Sequence, residues 1–470
     1  MSQHDMSIIN QGFPAFRADL NDALPALASN SSGATEPSAM FAHQWWVDTS
    51  ATPNLLKQRN ADNDAWITVG SLDQAADTFN VAVAQGGTGS ATALAARATL
   101  GLVIGANVQA YSSTLDSYAS SGAGFRNRII NGDMRIDQRN AGAAVATGGA
   151  SGGYSLDRYQ NIYTAGSKFT VQQNAASVTP PAGFVNYLGV TSITAFAVPA
   201  GDTFLVQQVI EGLNTGDLSW GTANAKTVTL SFSVYSSLTG TFGGSLLNSA
   251  GNRSYPFAYT VSVANTWTAI SVTIAGDTLG TWLTTSGIGI SVRFGLGSGS
   301  TFSGTAGAWV AANIVQPTGS VSVVGTNGAT FYITGVQLEA GSVATPFEHR
   351  MYGQELELCK RYTQPVLRGT GGRILGAASA TTASQIHFTL PVEMRANPTL
   401  SASSGSVSIN NIGSGAVGAT TTPFVTMAVT DGISCQLTAT TTAGAPTLAA
   451  GNAVFMYLNT ATPLLLIAEL

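Results

Sequence analysis

IGISVRFGL, residues 288–296, carries Ile288, Ile290, Val292, Phe294 and Leu296 at every second position. A period of two is the mark of a strand with one face buried. VTLSFSV (228–234) alternates in the same way through Val228, Leu230, Phe232 and Val234. AISVTIAG (269–276) does so through Ile270, Val272 and Ile274. Turn-rich segments such as SSLTGTFGGSLLNSAGN separate these runs. Strands repeated in this pattern across residues 125–350 predict a two-sheet sandwich or jelly roll.

Outside that block the chain changes character. In residues 1–83, FPAFRADLNDALPAL places Phe16, Leu20, Leu24 and Leu27 on one helical stripe. Pro14 suits a first helical turn. Pro25 predicts a break near Leu24, because it removes a donor and disfavours helix in the residue before it. Short apolar runs between DTSATPN and NADND read as a small β unit, with Trp45, Trp46 and Trp66 as its expected core.

Residues 84–124 hold AQGGTGSATALAARATLGL (84–102), whose single charge is Arg97. Ser90 is placed to cap a short helix and Gly101 to end it. So short a helix needs neighbours. Tyr111, Leu115 and Tyr118 repeat the plan, which suits a shaft of several chains better than a linker. In GQELELCKRY (353–362) the acids come early and the bases late, as the helix dipole favours, and Pro365 is positioned to close this connector, residues 351–365. Residues 366–470 read as a second β domain, ending in a buried strand, PLLLIAEL.

Composition narrows the function. The 470 residues allow roughly two to four domains. Only 9% are charged, against about 25% in an ordinary soluble domain. Burial of surface against copies of the same chain fits that shortage. A net charge of −5 argues against nucleic acid as a partner. No apolar run is long enough for membrane insertion, and the N-terminus lacks the order of a signal peptide. Two cysteines, Cys359 and Cys435, make no disulfide framework.

Catalytic chemistry is thin. His4, His43, His349 and His387 are scattered, with no metal spacing, and GGTG lacks the lysine of a phosphate loop. GASGG matches a nucleophile elbow around Ser151 by letter, but its flanks do not read as strand and helix. The densest polar cluster is Asp133, Arg135, Asp137 and Arg139 with Asp157 and Arg158. A salt-bridged network tying the first strand of the sandwich to its neighbour is favoured over calcium at Asp133 and Asp137, and over glycoside chemistry. Trp220, Trp267, Trp282 and Trp309 are read as packing rather than sugar-stacking residues. No catalytic residue, cofactor or metal is assigned.

Several stretches together resemble bacteriophage tail fibres. QGGTGSATALAARATLGL and IGANVQAYSSTLDSYAS resemble their shaft repeats, and QWWVDTSATPNLLKQRNADNDAWITVG an N-terminal module seen in such fibres. NRIINGDMRIDQRNAG, YSLDRY, GVQLEAGSVATPFEHR and GQELELCKRY resemble the carbohydrate-binding-module-like jelly roll of phage receptor-binding proteins. LPVEMRANPTL resembles the start of a β-rich tip domain.

The resemblance implies a mainly β homotrimeric fibre. Residues 1–83 would be a virion-attachment module meeting a tail or baseplate protein, with Trp45, Trp46 and Asp48 as candidate contacts. The shaft at 84–124, jelly roll at 125–350, connector helix and tip at 366–470 would follow. The protein would be made in the host cytoplasm and reside in the virion tail. Host-surface glycan, such as lipopolysaccharide or capsule, is the expected ligand. Within INNIGSGAVGATTTPF, Asn410, Asn411, Thr420, Thr421, Thr422 and Phe424 are the candidate receptor contacts. Two alternatives remain open: a depolymerase of capsule or lipopolysaccharide, and a structural segment carrying another receptor-binding protein.

Overall fold

The computed structural model describes residues 3–81, 87–88, 92–102, 126–148, 151–367, 373–380, 383–400, 407–412, 417–420, 425–429, 434–440, 450–458 and 463–470. The protein is mainly β, with several antiparallel sheets. It divides into two compact units, residues 1–112 and 113–470.

In the first unit, helix α1 (Phe13–Ala28) precedes a four-stranded antiparallel sheet. The expected break at Pro25 does not occur. Proline removes only the bond to the Asn21 carbonyl, and the last turn closes when Ser29 donates its backbone N–H (2.9 Å) and hydroxyl (2.7 Å) to the Pro25 carbonyl. The buried side of α1 is Ala23 and Ala26, whereas Phe16, Leu20, Leu24 and Leu27 are exposed. Only part of the tryptophan core forms. Trp46 is buried and meets Trp66 at 5.2 Å, but strand alternation turns Trp45 outward.

Helix α2 (Ala93–Thr99) is capped by Thr92, whose hydroxyl accepts from the Ala95 N–H at 3.2 Å. Ser90, Tyr111, Leu115 and Tyr118 lie outside the described residues. Gly101 follows the helix with φ +70°, the left-handed conformation that ends many helices.

The second unit contains the sandwich. One six-stranded sheet runs, in spatial order, Ser254–Val261, Gly240–Leu247, Ile288–Ser298, Thr203–Glu211, Tyr159–Tyr163 and Gly153–Leu156. The other runs Thr268–Ile274, Val228–Ser236, Thr330–Ala340, Leu188–Ser192, Phe169–Gln173 and Val145–Ala146. Their inner faces share one core. Phe294 of the first sheet meets Phe232 of the second at 5.1 Å, edge to face. Leu230, Val234, Val292 and Leu296 are buried in it, as the alternation predicts.

Residues 126–137 form no regular strand. They are held instead by side chains. Asn127 donates to the Val336 carbonyl (3.0 Å) and accepts from Ile129 and Leu338. Gly132 is required here, because a Cβ would come within 2.2 Å of the Val336 carbonyl.

Helix α3 (Tyr352–Lys360) ends before Pro365, which lies in the strand Thr363–Leu367. Its Cys359 packs with Ile130, Ile136 and Tyr362. The final strand, Leu464–Ile467, is buried between Thr363–Leu367 and Thr399–Leu400. Ser303–Gly304 and Gln316–Pro317 form a short parallel pair, and a seven-stranded sheet takes the other strands, with Ala453–Leu458 beside Arg373–Ala380 near its middle.

Candidate functional site

The expected polar cluster forms, but it reaches further than two neighbouring strands. Arg139 donates to Glu469 at 2.6 Å, and Arg158 donates to the other oxygen of the same carboxylate. Arg158 also lies over the Tyr362 ring at 3.5 Å. Arg361 forks onto Glu211 at 2.7 and 3.0 Å, and Tyr362 donates to it at 2.8 Å. The network joins the sandwich to α3 and to the last residues of the chain. The motifs NRIINGDMRIDQRN, GVQLEAGSVATPFEHR and GQELELCKRY meet here: Arg350 donates to the Asn127 carbonyl, and Glu355 accepts from the Asn131 N–H.

Asp133 pairs with Arg135, and burial raises its carboxyl against that pull. Asp137 accepts from the backbone N–H of Arg139 (3.2 Å), Asn140 (2.8 Å) and Gly142 (2.6 Å). Both carboxylates are thus engaged by the chain itself. No group of three metal-ligating side chains comes together among the described residues. Ser151 opens a turn into the strand Gly153–Leu156, so a strand follows it where an elbow needs a helix.

Asp157 sits inside the network. Burial pushes its carboxyl up to about 7, against the opposing pull of Arg139 and Gln138. The folded state therefore holds a proton that the unfolded chain releases from about pH 4 upward. Folding stability from this group is full below that range and falls as pH rises to about 7. Asp157→Asn removes the dependence. Unfolding free energies at pH 4.5 and 7.5 are expected to show the variant gaining on the wild type at the higher pH, by a few kcal/mol at most.

Trp46 donates to the Gly33 carbonyl at 3.1 Å, and Lys57 lies over its ring. Asp48 is buried, and Lys57 at 2.7 Å with Ser50 outweighs the burial and holds its carboxyl below the usual range. Of the three residues singled out for attachment, Trp45 alone is exposed. It lines a pocket of about 340 Å³ with Met6, Leu27 and Phe41. Asn410 and Asn411 lie in the strand Val407–Asn411, and Thr420 in Val417–Thr420. Thr421, Thr422 and Phe424 lie outside the described residues.

Trp220, Trp282 and Trp309 pack in a trio with ring centres 4.8 to 5.3 Å apart. Each indole N–H has a partner, at Lys226, Asp277 and Ala275. Trp267 packs beside Tyr187 and Tyr235. A pocket of about 270 Å³ lies by Arg128, Leu213 and Asp217. Its lining charges are already engaged: Arg128 forks onto Asp217 at 2.8 and 2.7 Å, and Arg350 pairs with Glu355.

The outer face of the first sheet is different. Strand register places Tyr154, Gln160, Gln207, Arg293, Ser245 and Pro256 in one line across all six strands. Phe294 faces the core, so Arg293 faces away from it. Gln207 donates to Gln160 at 2.7 Å, and Arg293 donates to Gln207 at 3.3 Å and to Asn313 at 2.6 Å. Planar hydrogen-bonding groups are thus fixed on a rigid sheet. Sequence reading missed this row. Its one signal was Arg293, a lone charge inside an apolar alternating run.

No protein-family model matches the chain, and no curated protein sequence does. Among solved structures, the tailspike protein 4 enzymatically active domain of bacteriophage CBA120 is similar over 46% of this chain and 21% of that one, at 13% identity and a TM-score of 0.25. A family 11 carbohydrate-binding module from Clostridium thermocellum, in complex with a mixed-linked tetrasaccharide, is similar over 44% of this chain and all of that one, at 13% identity and a TM-score of 0.21. The CBM22-1–GH10 modules of the C. thermocellum xylanase 10B, complexed with xylohexaose, are similar over 44% of this chain and 30% of that one, at 13% identity and a TM-score of 0.22. The chain spans about a fifth of the tailspike domain. Similarity at this level assigns no function.

Proposed function

We propose that this chain is a receptor-binding protein of a bacteriophage tail, which adsorbs to host-surface glycan such as lipopolysaccharide or capsule without cleaving it. The observation that supports the reading most is the row through Gln160, Gln207 and Arg293 on the outer sheet face. Side-chain amides and a guanidinium already fixed by one another meet sugar hydroxyls with little further ordering. The motifs that resemble tail fibres supply the setting. Residues 1–83 would attach to a tail or baseplate protein, and Asn410, Asn411, Thr420, Thr421, Thr422 and Phe424 would make a second glycan contact. Three copies about an axis would turn weak sugar contacts into avidity.

Two measurements test this. Light scattering on the purified chain is expected to give three times the 48.0 kDa chain mass. A monomer at every concentration removes the trimer. Binding to purified host polysaccharide is expected without release of reducing ends. Release of sugar would make the protein a depolymerase.

A further inference from the structure

We propose that the exposed stripe of α1, formed by Phe13, Phe16, Leu20, Leu24 and Leu27, is a contact between copies of this chain, with three α1 helices parallel around one axis. This rests on the three-copy assembly proposed above and names a surface that holds it. The width of the stripe comes first. At about 100° per residue, the five side chains fall within an arc of about 80°. A helix that packs on a core shows a broader apolar face, whereas a narrow one is the seam of a helical bundle. Packing of α1 within its own unit uses a different side, through Ala23 and Ala26. The stripe is left over once that packing is made.

Spacing says which partner fits. Phe13, Leu20 and Leu27 recur at every seventh position, and Phe16 and Leu24 fall three or four residues from them. That is the repeat of a coiled-coil seam, which a copy of the same helix complements. Around a threefold axis each Leu20 meets its own counterparts. No charge interrupts the stripe. Both flanking charges are engaged within their own copy: Arg17 lies over the Phe13 ring at 5.2 Å, and Asp19 meets His4 at 2.7 Å and accepts from Gln11 at 2.9 Å.

Area favours three copies over two. The five residues, and Phe41, which lines the 340 Å³ pocket with Leu27, are 37% to 71% exposed. At about 200 Å² for a side chain of this size, each copy offers about 600 Å². A monomer rarely leaves a larger apolar patch in water. Two copies would bury about 1,200 Å², the lower limit of a stable interface, and three about 1,800 Å², within its standard range.

With 16 residues, α1 adds to other contacts along the axis rather than holding the assembly alone. The test therefore reads proximity. In the full chain with Cys435→Ser, the cysteine that remains, Cys359, is buried. Into that chain Leu20→Cys, Leu27→Cys and Ala18→Cys are placed singly, Ala18 being exposed on the side of the helix opposite the stripe. Each protein is treated with a short bis-maleimide, which joins two neighbouring thiols. Covalent pairs of chains are expected at positions 20 and 27, at least ten-fold above position 18 and unchanged on ten-fold dilution. Equal yields at all three positions, or yields at 20 and 27 that fall with dilution, overturn the seam while a threefold mass by light scattering leaves the assembly standing. The stripe then belongs to another protein of the virion. A single-chain mass for the parent protein at every concentration overturns both.

Discussion

Glu469→Ala is expected to destabilise the sandwich by about 3–5 kcal/mol, the usual loss when one member of a buried ion pair is removed. The Glu469 side chain is 5% exposed and serves two guanidiniums, Arg139 and Arg158, the latter 1% exposed. Alanine leaves Arg158 buried with no counter-ion, and Arg139 with only the Asp157 carboxyl, 3.8 Å away. Arg158 keeps its bond to the Val209 carbonyl and its place over Tyr362, neither of which neutralises it. Replacing Arg158 with Met in the same chain should restore part of the stability, since one orphaned charge is then gone. Denaturant unfolding followed by tryptophan fluorescence reads both. A loss below about 1 kcal/mol for E469A would mean that water reaches the pair and that the network is not a structural hub.

Phe294→Ala should cost a similar amount, about 3–5 kcal/mol, for a different reason. Phe294 is fully buried between the sheets and meets Phe232 nearly perpendicularly. Alanine removes most of a ring from a site walled by strands on both sides, where collapse is limited. Both the transfer loss and the cavity therefore count. F294L, which refills much of the space, should lose less. The same denaturant titration checks both variants. Equal losses for the two would point to the lost aromatic contact rather than to the cavity.

The sandwich was legible in the sequence where apolar residues alternate, as in Val228–Ser236 and Thr268–Ile274, whereas Thr203–Glu211 is buried at every residue and carries no period of two. Burial of Val228, Leu230, Phe232 and Val234 is written directly as a period of two. The error at Pro25 has a local cause, since proline in a last turn removes a single bond and the following serine repairs the end. The stripe on α1 predicted a helix correctly but not its contacts, because the packed side consists of alanines that hydropathy barely registers.

The candidate site was less legible. Gln160, Gln207 and Arg293 are 47 and 86 residues apart, and only strand order brings them into line. The polar motif at 127–142 announced itself as a cluster of charges, yet its partner Glu469 lies 330 residues beyond Arg139. Nothing local to either segment encodes that pairing.

That distance matters during synthesis. A ribosome adds roughly 5–20 residues each second, so Arg139 and Arg158 emerge on the order of 15–65 s before Glu469 does. The sandwich strands can pair in that interval, but their two guanidiniums wait for a carboxylate not yet made. Completion of the network is thereby tied to the synthesis of residues around position 469. A replacement for residues 366–470 would therefore have to bring its own acid to the same place.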